Sequence, residues 1–201
     1  MCDFYTSFLV LKRVKHAIDP LFYKGSHRAF TDDSEKHLRM IQKKQNTGSK
    51  IARLSAARLA AVQAVYQMRA GEQSARDIVS EYRTHHLGQP VEGQAMVAPD
   101  TELFAHIVGG VESRMEDLRG IIDASLVVQD SSKPTHCLDS TERLLGSILL
   151  CGSYELLAHH DIDAPLIIAD YLDVTHAFYE GNEAKLVNAV LDRIRKAVRD
   201  E

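Results

Sequence analysis

The chain has no tryptophan, and only five prolines and eleven glycines in 201 residues. So few breakers fit poorly with an all-β protein, which needs them at closely spaced turns, and suit a helical one. Cysteine is scarce too. Cys2, Cys137 and Cys151 are an odd number with no Cys-x-x-Cys spacing, so neither a disulfide framework nor a thiolate metal site is expected. No apolar run approaches the roughly 18 residues needed to span a bilayer, and a membrane is not among the expected partners. The short apolar patch at 8–11 follows Asp3 and precedes Lys12, Arg13 and Lys15. That reverses the charge order of a secretory signal, and a cytoplasmic location is expected.

Catalytic signatures are missing as well. There is no GxGxxG, GxxxxGK or GxSxG, so neither a phosphate-cradling loop nor a nucleophile elbow is visible. His85-His86 and His159-His160 are adjacent pairs, which a helix points about 100° apart, and His136-Cys137 stands alone near Pro134. No metal, cofactor or catalytic residue is expected, and the chain reads as non-enzymatic.

What is present is an uneven distribution of charge. From Lys36 to Gly71 there are eight Lys or Arg and no Asp or Glu; from Glu72 onward there are eleven against twenty-three. Residues 1–35 balance at five of each. A block of positive charge beside an acidic remainder is a footprint of phosphate contact, because Lys and Arg gain free energy by displacing condensed counterions. The alternative is a solvated basic tail with no partner.

The length suits one domain plus a tail. Residues 1–49 show no sustained period and end in the linker-like Gln45-Asn46-Thr47-Gly48-Ser49; they read as a basic, flexible N-terminal extension. From Lys50 a helical period takes over through Leu54, Ala57, Ala61, Val65 and Met68, with Ala60 and Ala64 beside them, a small-residue face another helix can approach closely. A short helix is predicted over about Ser74 to Arg83, then a loop from His85 to Pro99. Asp100 suits an N-cap ahead of a stripe from Phe104 to Ile122, which forms one helix or two, weakened at Gly109-Gly110 and divisible at Gly120. Asp139-Ser140-Thr141-Glu142 reads as a capping box, Pro165 as a first-turn proline, and Asn182 as the cap of a last helix striped by Leu186, Val187, Val190, Leu191, Ile194, Ala197 and Val198. No segment alternates with period two. The expected fold is an all-α compact bundle of about six to eight helices over residues 50–201.

Glu155 falls on the apolar side of its helix. A buried carboxylate must be paired or hydrogen-bonded, so it is expected to accept N–H groups from a helix start or to pair with an arginine, a structural role.

Three blocks carry a resemblance: Ala61-Val62-Gln63-Ala64-Val65-Tyr66, Tyr154-Glu155-Leu156-Leu157, and Lys185-Leu186-Val187-Asn188-Ala189-Val190-Leu191-Asp192. With Asp163-Ala164-Pro165 and the apolar residues after it, their order and spacing over about residues 50–198 are similar to those of the NusB family of transcription antitermination factors. The resemblance implies a helical protein that binds boxA RNA together with the ribosomal protein NusE. It would act on the RNA polymerase elongation complex with other Nus factors and support transcription of ribosomal RNA operons. It also implies phosphate-gripping positions at Lys50, Arg53 and Arg58, with Lys43 and Lys44 upstream. Gln63 and Tyr66 are candidates for reading bases, Tyr66 equally a core residue. Asn182 and Lys185, at the start of the last helix, are candidate RNA contacts where free N–H groups suit a phosphate. Asn188 and Asp192 serve packing or partner contact.

The chain departs from the family at Leu150, where arginine is common, at Asp170 (glutamate), at Ala189 (glycine) and near Leu186 (an aromatic). Leu54, Ser55 and Ala56 also stand where many relatives cluster basic residues. These departures favour an alternative, a helical interaction module with weakened RNA binding that acts through its ribosomal-protein partner. A catalytic domain is the third reading; a related module precedes the catalytic domain of a ribosomal RNA cytosine methyltransferase, but this chain stops just past that module.

Overall fold

A computed structural model describes residues 48–71, 73–85, 87, 97–126 and 137–199. Among these residues the chain forms seven helices and no strand: α1 (Lys50–Ala70), α2 (Ala75–His85), α3 (Thr101–Ser113), α4 (Met115–Leu126), α5 (Arg143–Ala158), α6 (Ala164–Phe178) and α7 (Glu183–Val198). The all-α expectation is met. The extension up to residue 47, with Lys43 and Lys44, lies outside the described residues, as does most of the loop expected over 85–99.

α5 is the centre of the bundle. Eleven of its sixteen residues are buried, the pattern of a helix covered on every side, and it packs against α1, α3, α4, α6 and α7. Leu150 is fully buried there. α1 lies against α3 and α5 through its alanines; Ala57, Ala60, Ala61 and Ala64 are all buried. Close approach recurs where α3 meets α5. A Cβ on Gly110 would sit 1.9 Å from Cζ of Tyr154, so only glycine fits beneath that ring.

The helix ends differ from expectation in three places. The 100–122 stripe does divide, but at Arg114 (φ −118°, ψ 21°), and Gly109, Gly110 and Gly120 all remain helical. No Ser or Thr caps α5: Glu142 is the N-cap, its carboxylate accepting from the N–H groups of Leu144 and Leu145 at 3.0 Å each. Ser140 and Thr141 instead bond the carbonyl of Cys137 in the preceding turn. Asn182 occupies the N-cap position of α7 without a side-chain capping bond, because its Oδ1 accepts from Nζ of Lys185 at 3.1 Å. On α7 the buried stripe is Ala184, Val187, Val190, Leu191 and Ile194; Leu186 and Ala197 face outward.

The start of α1 follows the local rules. The N–H of Ala52 donates to Oγ of Ser49 (3.1 Å), and Gly48 before it is left-handed (φ +49°), a conformation side chains resist. At the other end of the chain, Arg199 closes the bundle. Its guanidinium donates to the carbonyls of Leu156 (2.9 Å), Ile162 (2.6 Å), His159 (2.8 Å) and Glu155 (3.4 Å), at and beyond the last turn of α5.

Candidate functional site

A buried charge cluster joins α1, α5 and α6. Arg58 is 2% exposed. Its Nε donates to both carboxylate oxygens of Glu155 (2.9 and 3.2 Å), Nη2 to Oε2 (2.8 Å), and Nη1 to Asp170. The Tyr171 hydroxyl donates to Glu155 Oε1 at 2.7 Å, and Ser55 Oγ reaches Asp170 at 3.4 Å. Burial opposes the charge on Arg58, but the bonds and field of Glu155 overcome it and raise its pKa. Burial, reinforced by Glu155, pushes the Tyr171 phenol well up; burial also lifts Asp170 above its usual value against the pull of Arg58. A planar guanidinium with donors in a fixed fork suits two carboxylates at once, which an ammonium cannot match.

Arg58 was expected among the phosphate-gripping residues. The structure corrects that: its guanidinium is committed inward, and the arginine partner foreseen for Glu155 is Arg58 itself. The remaining candidates fall in two groups along α1. Lys50 is exposed on the first turn and Arg53 is partly exposed, 3.7 Å from Asp100. Tyr66 lies about 20 Å further along the helix from Arg53, half-buried, with the Arg143 guanidinium 5.9 Å from its ring centroid, a cation–π arrangement. Gln63 is half-buried one turn before it. Asn182, Lys185 and Asn188 are exposed on α7.

Neither Arg143 nor Arg69 is assigned a role by the sequence: Arg69 is the last basic residue of the positive block, eleven residues beyond Arg58, and Arg143 lies far outside it. Tertiary packing brings them together. Nη1 of Arg69 donates to the Arg143 carbonyl at 2.7 Å, and burial, helped by the Arg143 charge, lowers the Arg69 pKa. Beside them the Tyr179 hydroxyl, from the end of α6, donates to Glu142. The last turns of α1, the first turn of α5 and the end of α6 thus form one polar end of the bundle carrying two tyrosines, Tyr66 and Tyr179, and two arginines, Arg69 and Arg143.

Glu142 anchors that end. Burial opposes its ionisation, but the Tyr179 phenol and the N–H groups of Leu144 and Leu145 outweigh it and hold its pKa below the usual carboxylate range. The stabilisation is therefore complete above the unfolded-state pKa and fades as pH falls through the lower folded value. Glu142→Gln is expected to cost about 1 kcal/mol at pH 7, in the range of an N-cap loss. Thermal melts of parent and variant should converge towards pH 3; a gap that persists there would contradict this role.

The fold and its leading basic helix define the class first, an all-α bundle of seven helices among the described residues, closed around a buried arginine–carboxylate cluster. The sequence model of the NusB family matches residues 55–196. The transcription antitermination protein NusB of Rhizobium rhizogenes is 43% identical over 146 residues, 73% of this chain and 88% of that protein. The NusB of Agrobacterium fabrum is 41% identical over 73% and 85%. T. maritima NusB shares the fold, with a TM-score of 0.55 at 21% identity over 71% of this chain and 89% of that one. The chain belongs to the NusB family of transcription antitermination proteins, which is not a family of enzymes. Among the described residues no helix is long and apolar enough to cross a membrane.

Proposed function

We propose that the protein binds boxA-like RNA together with the ribosomal protein NusE and, with the elongating polymerase and other Nus factors, supports transcription of ribosomal RNA operons. The observation that carries this reading is the first half of α1. Lys50 and Arg53 are presented outward, no acidic residue occurs from Lys36 to Gly71, and the first turn of α1, capped by Ser49, is the positive end of the helix, which suits a phosphate. The strongly acidic chain after residue 71 offers a complementary surface for a basic ribosomal protein.

Gel shift of boxA RNA, with and without NusE, tests the reading against a scrambled RNA. Lys50→Ala/Arg53→Ala is expected to weaken RNA binding about tenfold or more without changing the melting temperature, since both side chains are outside the core. Loss of two phosphate contacts to a single strand lowers the slope of log K against log salt by about 1.4. Undiminished affinity in that variant, or equal binding of the scrambled RNA, refutes it.

A specific observation favours a second reading, an interaction module with weak RNA affinity acting through its ribosomal-protein partner. Burial of Arg58, with Leu54, Ser55 and Ala56 around it, leaves the first two turns of α1 with only Lys50 and Arg53 as basic residues. This reading predicts NusE binding that needs no RNA and changes little in the Lys50→Ala/Arg53→Ala variant.

A further inference from the structure

We propose that the groove between α2 and α3 is a docking site for an acidic, amphipathic segment of a protein partner, separate from the RNA-facing positions of α1. The groove is shallow and open to solvent, with a volume of about 630 Å³, and is lined by Arg76, Val79, Ser80 and Arg83 of α2 and by Ala105 and Gly109 of α3, with Glu112 at one end. Its floor is low because of two small residues. A Cβ added to Gly109 would meet nothing within 4 Å among the described residues, whereas its neighbour Gly110 has no room for one. A glycine inside a helix costs about 1 kcal/mol relative to alanine. Packing within the bundle gives no reason for that cost at Gly109; an occupant lying over it does.

The rim states the chemistry of the occupant. Arg76 and Arg83 are both exposed and make no ion pair or hydrogen bond among the described residues. Seven residues apart, they share a face of α2 with about 10.5 Å between them along the axis. Among the described residues lining the groove the one carboxylate is engaged: Glu112 accepts the Ala75 N–H at 2.7 Å and faces the positive end of α2. The open charge at the groove is therefore positive at two points, over an apolar floor. A helix laid in such a groove with an apolar residue inward and carboxylates seven residues apart satisfies all three features. RNA fits less well, because among the described residues no aromatic ring lines the groove for a base to stack on and Asp77 and Glu81 break the basic track of α2.

The test uses the full chain and a fluorescent helical peptide with two glutamates seven residues apart and leucines between them, read by anisotropy. Saturable binding is expected, weakened at least about tenfold by Arg76→Glu/Arg83→Glu, as charge reversal at a complementary rim should do. Gly109→Leu, which fills the floor, should weaken it equally while circular dichroism and boxA RNA affinity stay as in the parent. Absence of saturable binding overturns the proposal, as does binding that survives Gly109→Leu. Equal affinity for the lysine-substituted peptide, or displacement of the acidic peptide by an oligouridine, would mean that the groove does not select acidic protein. A dimer in sedimentation that Gly109→Leu dissolves would make a second copy the occupant and also overturn it.

Discussion

Arg58→Met is expected to lower stability by about 3–5 kcal/mol, the usual cost of removing one partner from a buried ion pair. The loss does not measure the strength of the attraction. It comes from what stays behind: Glu155, fully buried, keeps only the Tyr171 hydroxyl, and its remaining lone pairs have no water to turn to. For a domain of this size, each kcal/mol moves the melting temperature by about 2–4 °C, so a fall on the order of 10 °C should be seen by calorimetry. Arg58→Met/Glu155→Leu should recover much of it, since an apolar pair of similar volume removes both charges together. The buried cluster would have no such role if the single variant melted within a degree or two of the parent, or if the double variant were worse than the sum of the singles.

Arg199→Ala is expected to cost about 2–3 kcal/mol, as hydrogen bonds from a charged donor are worth more than neutral ones and the carbonyls they served are left short. Arg199 differs from Arg58 in having no carboxylate partner among these bonds: it answers the carbonyls of Glu155, Leu156, His159 and Ile162, around the negative end of the α5 dipole. One side chain thereby fixes the end of α7 to the end of α5. Hydrogen exchange should quicken first in the last turns of both helices. Arg199→Lys should recover part of the charge effect but few of the bonds, because an ammonium cannot span that spread of acceptors. If exchange in α5 were unchanged, this staple would be only a surface contact.

The overall architecture was legible because helices announce themselves locally. The Leu54-to-Met68 stripe, the Asp100 cap and the run from Val187 to Ile194 depend on spacing along one segment, and spacing is visible in sequence. The alanine face of α1 and the early proline of α6 were readable for the same reason. What failed was local in appearance but tertiary in cause. Gly109-Gly110 looked like a weak point, yet both stay helical, and Gly110 is needed there because Tyr154 from another helix fills the space a side chain would take. The apparent capping box gave way to Glu142, whose carboxylate also answers Tyr179 from α6. Asn182 kept its position but gave its oxygen to Lys185.

The charged candidates divide in the same way. That Glu155 needs a donor follows from an acid on the apolar side of a helix; that the donor is Arg58, ninety-seven residues earlier in the chain, does not. Read along the chain, Arg58 belongs to a basic run with Lys50 and Arg53. Its position on α1 turns it inward among the alanines, while theirs turn outward. Composition and periodicity alone determined a helical bundle with a positively charged leading segment and an acidic remainder, because those properties are sums and repeats over neighbouring residues. Which arginines face solvent, which close a helix end and which neutralise a buried acid was decided only when the helices packed. Burial and pairing depend on what arrives from elsewhere in the chain.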